Sequence, residues 1–159
     1  METTVTYDEK TKEFTVDSPS VLSQKYWISN GFKHANYSLV FGQTIVKGKN
    51  EGVNAFLVPI RDKDMKPLPG MTINDMGVKM GLNGVDNAAL KYNKVRIPRE
   101  NMMNKYADVD EKGDFKSDVK FIPQRFFKVT ERLLSGRLCI AAMALGAQKA
   151  ALYIAIKYA

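Results

Sequence analysis

The sequence predicts a β domain followed by a long helix. The expectation is an antiparallel, barrel-like set of short strands over residues 1–116, then a helical segment over residues 117–159. Three observations carry it. Nine of the eleven glycines and five of the six prolines precede residue 117. Within that stretch, short runs of β-branched and aromatic residues alternate with turn residues. After it, apolar residues recur at helical spacing and the composition becomes alanine-rich.

The opening reads as a hairpin. Thr3-Thr4-Val5-Thr6-Tyr7 runs out, Asp8-Glu9-Lys10-Thr11-Lys12 turns, and Glu13-Phe14-Thr15-Val16 returns. Further strands are expected at 25–29, 37–46, 53–59, 71–80 and 88–95. The turns between them are Lys47 to Gly52, Lys66-Pro67-Leu68-Pro69-Gly70 and Asn83-Gly84. About seven short strands so punctuated suggest a sandwich or barrel. Arg99 to Met103 reads as an exit loop, and Tyr106 to Phe115 as a small second hairpin around Asp110-Glu111-Lys112-Gly113-Asp114. Helical periodicity runs from about Arg125 to Ala159. Its second half, from Ala141, is small or apolar on nearly every face, so it needs cover on several sides. The expectation is a piece of a larger helical assembly, or a helix through which the chain oligomerises.

Composition narrows the function classes. With 45% hydrophobic and 26% charged residues, the chain is neither collagen-like nor wholly disordered. A single cysteine, Cys139, excludes an internal disulfide and a zinc site built on cysteine pairs. No unbroken apolar run reaches the roughly 18 residues of a membrane span. The net charge is +7, but the 24 Lys and Arg residues are dispersed, which argues against nucleic acid as a partner. No GxSxG, P-loop, GxGxxG or HExxH motif is present, and no metal site is expected. The one histidine, His34, has no Cys or Ser partner near it in sequence. Asp86, Asp108, Asp110 and Glu111 read as solvated turn residues, and Cys139 as a packed thiol.

The informative segment is Lys25-Tyr26-Trp27-Ile28-Ser29-Asn30-Gly31, which holds the only tryptophan. On residue type alone Trp27 fits the core. It also fits a site where a planar cofactor lies on the indole and a strand-end hydroxyl and backbone N–H face its polar edge. A flavin suits that arrangement, because hydrogen bonds near its N5 tune its electronics.

Four segments together resemble the acyl-CoA oxidases, the peroxisomal branch of the acyl-CoA dehydrogenase superfamily. They are Glu2-Thr3-Thr4-Val5-Thr6-Tyr7-Asp8 with Phe14 and Asp17-Ser18-Pro19; Lys25-Tyr26-Trp27; Ala55 to Arg61 with Pro67-Leu68-Pro69-Gly70; and Gly81 to Asn87 continuing through Val95 to Met102. Gly136-Arg137 and the helix ending Ala155-Ile156-Lys157-Tyr158 also look like the family. The resemblance implies a middle β-barrel domain over 1–116 and the first helix of a C-terminal helical domain over 117–159.

It further implies FAD as cofactor, a fatty acyl-CoA as substrate, O2 as electron acceptor, a homodimer and a peroxisomal location. In such enzymes a Glu takes the α-proton, the β-hydride passes to the flavin, and oxygen is reduced to hydrogen peroxide. By position, Trp27, Ser29, Asn30 and Gly31 would contact the cofactor, and Arg137 the substrate's thioester end. The family's Thr-Glu-x-Gly flavin segment and its catalytic Glu fall outside the matched residues, so no catalytic base is expected within this chain. Many oxidases read Trp-Trp-Pro-Gly at the strand end; Trp27-Ile28-Ser29-Asn30 is closer to the dehydrogenase pattern. The alternatives are therefore a dehydrogenase that passes electrons to a flavoprotein, or a non-catalytic module.

Overall fold

The computed structural model describes residues 1–159. The chain opens with the hairpin of β1 (Thr4–Asp8) and β2 (Glu13–Asp17), followed by β3 (Lys25–Ser29), β4 (Tyr37–Val46) and β5 (Lys49–Pro59). Then come β6 (Met71–Asp75), β7 (Asn87–Tyr92), β8 (Val95–Pro98), a 3-10 turn at Arg99–Asn101, and the short β9 (Asp108–Val109) and β10 (Phe115–Lys116). A single helix, α1 (Ile122–Tyr158), follows.

Two sheets enclose the core. One has five strands in the order β5-β4-β1-β2-β8, the other three in the order β3-β7-β6; β9 and β10 pair separately. Every strand pair is antiparallel except β1 with β4, which run parallel with Val5 opposite Thr44. The wholly antiparallel expectation is corrected at that pair. The reason is topological: after β2 the chain crosses to the other sheet to form β3 and returns with β4 beside β1, and a parallel neighbour requires such a crossover. The sheets are tied where the Ser18 N–H donates to the Tyr92 carbonyl at 2.7 Å. Alternation along the strands sends Val5, Tyr7, Phe14 and Val16 inward from the first hairpin. They meet Val40, Phe56, Val58, Leu90, Tyr92 and Ile97 in one apolar cluster drawn from both sheets. Phe14 and Phe56 pack edge to face with centroids 5.0 Å apart.

Three element boundaries differ from expectation. β5 begins at Lys49, not Val53, because Lys47 and Gly48 both take positive φ (50° and 77°) and close a two-residue hairpin turn. The stretch expected as one strand over 88–95 is two strands, since Lys94 (φ 51°) turns the chain between β7 and β8. β6 ends at Asp75, and residues 76–86 form a loop instead of its continuation. The small hairpin forms as expected. The Asp110 carboxylate accepts hydrogen bonds from Lys116 Nζ (2.7 Å) and the N–H groups of Asp114 and Lys112. Those partners, Lys116 foremost, hold its pKa down at about 2.

α1 runs 37 residues with Pro123 in its first turn, where the missing N–H costs nothing. It is anchored only at its start. Arg125, its one buried residue, donates to the Glu51 carbonyl (2.6 Å) and to the Val119 carbonyl (2.8 and 3.1 Å), and lies over the Phe115 ring. Gly52 (φ 88°) makes room: a Cβ there would sit 2.5 Å from Ile122 Cγ2. Beyond this foot the helix stands away from the sheets, and Leu138, Ile140, Met143, Leu145, Leu152, Ile154 and Ile156 are exposed. An 18-residue window of α1 has mean hydropathy 1.6, so by length and composition the helix is apolar enough to cross a membrane. Polar residues, among them Gln148 and Lys149, interrupt it, so it holds no unbroken apolar run of that length. A covered helix of a helical assembly has the same composition.

Candidate functional site

β3 carries the distinctive geometry. Lys25 pairs with Leu90 and Ile28 with Ala88 on β7, so one extra residue is accommodated between them as a β-bulge. Trp27 sits in that bulge with φ 61°, in the left-handed region. For a bulky side chain this is a strained conformation, and such strain concentrates at functional sites. Bulges also re-aim side chains. Here Tyr26 and Trp27 are turned out of the sheet, with their rings edge to face at 6.3 Å. Trp27 is 55% exposed and no part of the apolar cluster, so the core reading of this residue falls.

The exposed indole forms part of a groove of about 720 Å3 lined by Tyr26, Trp27, Ser29, Asn87 and the loop from Met76 to Val85. The lining is mostly apolar, with Val78, Met80 and Leu82 openly exposed. Its polar groups are few: the Ser29 and Tyr26 hydroxyls, the Trp27 indole N–H, the Asn87 amide and Lys79. Asn87 Nδ2 reaches Ser29 Oγ at a long 3.4 Å, which leaves the hydroxyl hydrogen free to donate elsewhere. Lys79 Nζ is tied to the Val85 carbonyl at 2.6 Å, and Asn83 exchanges two hydrogen bonds with the Lys79 backbone (2.7 and 3.0 Å). The loop is thus internally braced. No Asp or Glu lines the groove.

Asn30 and Gly31 follow Ser29 but do not line the groove. Asn30 (φ 61°) turns the chain and donates its N–H to the Asp86 carbonyl at 2.8 Å. Gly31 is required by proximity: a Cβ would lie 2.9 Å from Ala88 Cβ. Arg137 is exposed on α1, away from the groove-lining residues, so within this chain the structure does not join it to the other four.

Two residues near the site have partners that their sequence context does not mark. Asp86 is no solvated turn residue. Its carboxylate accepts the N–H groups of Phe32 (3.0 Å) and Lys33 (2.7 Å) and meets His34 Nδ1 at 3.2 Å. Burial raises its pKa, but the hydrogen bonds from Lys33 and Phe32 and the His34 imidazole outweigh that and leave it below the usual carboxylate value. Arg61 is buried, and its guanidinium donates to the carbonyls of Ala35 (2.7 Å) and Phe32. The Pro59-Ile60-Arg61 run had marked only the resemblance. A further titratable group, Lys25, donates from Nζ to the Phe41 carbonyl at 2.6 Å, and burial pushes its pKa down to about 8.

The arrangement is an open, largely apolar groove with an exposed indole, the hydroxyls of Ser29 and Tyr26, and no carboxylate. Comparison with known proteins bears on the family. The chain is 45% identical over 158 residues, 99% of its length, to the peroxisomal acyl-coenzyme A oxidase 3 of Arabidopsis thaliana, of which it covers 23%. The structure of acyl-CoA oxidase-1 from Caenorhabditis elegans complexed with FAD and ATP superposes with a TM-score of 0.71 at 44% identity, covering 75% of this chain and 19% of that one. The Yarrowia lipolytica acyl-CoA oxidase1 gives 0.74 at 35% identity, covering 82% and 19%. No protein-family model matches. The resemblance read from the sequence is thus borne out in sequence and fold: the chain matches acyl-CoA oxidases over essentially its whole length. It spans about a quarter of the length of the curated relatives it matches.

Proposed function

We propose that the chain is a segment of an FAD-dependent, peroxisomal acyl-CoA oxidase, with residues 1–116 as its middle β domain and 117–159 as the start of its helical region. The whole enzyme would convert a fatty acyl-CoA to the trans-2-enoyl-CoA and reduce O2 to hydrogen peroxide, as a homodimer. The observation that carries the site is the bulge at Trp27. It presents an exposed indole and the Ser29 hydroxyl to one groove, a donor set that fits a flavin edge. Trp27 would cover one face of the ring system and Ser29 would donate to its polar edge, while Asn30 and Gly31 hold the strand end. When bound, FAD would supply the two-electron acceptor chemistry.

Arg137 would approach the acyl-CoA thioester only where the helix is packed in the complete enzyme. The groove lacks a carboxylate, and a general base must lie within hydrogen-bond reach of the proton it takes. The 159 residues alone should therefore produce no peroxide from any acyl-CoA with added FAD; heat-labile turnover would refute that. In the complete enzyme, Ser29→Ala should weaken FAD retention by about 1–3 kcal/mol, and Trp27→Ala by more. Wild-type flavin content and reduction rate in both variants would remove the flavin assignment. One feature, the Trp27-Ile28-Ser29-Asn30 run, favours a dehydrogenase; peroxide formation by the complete enzyme separates the two.

A further inference from the structure

The segment 30–36 joins the three-stranded sheet to the five-stranded one, and it is gripped from two sides. On one side Asp86, directly before β7, takes the Asn30 N–H on its carbonyl and the Phe32 and Lys33 N–H groups on its carboxylate. On the other side Arg61, two residues after β5, donates from its guanidinium to the Ala35 and Phe32 carbonyls, and the Ile60 N–H holds the Asn36 carbonyl at 2.8 Å. Arg61 has no carboxylate within ion-pair distance, so its buried charge is met by these backbone dipoles. A buried guanidinium left without acceptors is costly, which makes the grip stringent.

The grip bears directly on the strained residue. Upstream of Trp27, β3 is held by the pairing of Lys25 with Leu90 and by Lys25 Nζ on the Phe41 carbonyl. Downstream it is held at Ser29 by Asn87, whose neighbour is Asp86. A left-handed tryptophan persists only where flanking structure over-determines it. We infer that Asp86 and Arg61 are positioning residues, a two-sided clamp that fixes segment 30–36 and thereby holds Trp27 and Ser29 in the orientation that faces the groove. Its bearing on FAD rests on the flavin reading above; its bearing on Trp27 does not.

Because Trp27 is the only tryptophan, its emission reports this site alone. The test uses the 159-residue chain with Asp86→Asn and Arg61→Lys. Asp86→Asn keeps the side chain's volume but turns one acceptor into a donor. Arg61→Lys keeps the charge but cannot hold both carbonyls. Each should raise amide exchange at Phe32, Lys33 and Ala35 at least tenfold, while the amides of Val5, Val40 and Ile97 stay protected. Each should also shift Trp27 emission and increase its quenching by iodide, and weaken quenching of that emission by added FAD several-fold. Faster exchange with unchanged Trp27 emission and iodide quenching would overturn the clamp as a positioning device and leave it a structural brace. Should Arg61→Lys lose protection throughout the core, Asp86→Asn decides alone. If the wild-type chain's emission ignores FAD, the clamp is judged on the FAD-free variants and the flavin reading on FAD retention by Trp27→Ala and Ser29→Ala in the complete enzyme.

Discussion

The sheets and the helix use similar amounts of apolar sequence to opposite effect. In the sheets, period-two alternation gathers Val5, Tyr7, Phe14, Val16, Val40 and Ile97 on inward faces, and two such faces close on each other with full burial. In α1, Leu133, Leu134, Leu145, Tyr153, Met143 and Ile154 point around the whole circumference, and every residue after Arg125 keeps solvent access. A strand has a face and can satisfy it within one domain. A helix apolar on all sides has none, and no single surface can cover it. Apolar content therefore marks where stability resides in the first region and where a partner is required in the second.

The sharpest way to break that contrast is truncation in each region. Phe56→Ala empties a site buried to zero exposure beside Phe14 and should cost about 3–5 kcal/mol in urea unfolding. A cost near zero would mean that the sheets do not share one core. Arg125→Met, at the joint between the regions, leaves the Glu51 and Val119 carbonyls unpaired and should cost about 1–3 kcal/mol. Amide exchange in the first turns of α1 should rise with it, while β1 and β2 keep their protection.

A pH titration sharpens the account of the sheets alone. The folded-state pKa of Lys25 is depressed to about 8, so burial of its charge disfavours the fold below that value. Between pH 8 and 10 the unfolded chain binds more protons there, and stability should rise, by on the order of 1 kcal/mol after solvent screening. Tyr92 acts with the opposite sign. Burial raises its phenol to about 12, so its contribution is intact below pH 10 and declines above it. Lys25→Met should flatten the rise below pH 10 and leave the decline above it, as followed by thermal midpoints. The smallest effect is expected in α1: Leu145→Gln should change stability by less than about 0.5 kcal/mol. Its signature lies in association. The exposed helix exceeds the apolar patch that soluble monomers tolerate, so the chain should self-associate, and Leu138→Gln with Leu145→Gln should reduce this in sedimentation. A wild-type chain that stays monomeric with residues 140–156 strongly protected would refute this.

Much was legible from local pattern. The first hairpin, β3, β4 and the small hairpin at Asp110 lie within a residue or two of expectation, because alternation and turn chemistry act between neighbours in the chain. Trp27 and Ser29 could be singled out by residue type and by resemblance. Their exposure could not, because it depends on a bulge set by pairing with β7, sixty residues away. The same holds for Asp86 and Arg61. As sequence, one is a turn carboxylate and the other part of a strand-end motif; only closure of the two sheets brings both onto segment 30–36. The parallel pairing of β1 with β4 likewise follows from the path between the sheets and leaves no mark in either strand. Strand, turn and helix were set by short-range backbone preference, whereas exposure, strain and the grip on segment 30–36 were decided by hydrogen bonds between residues far apart in the chain.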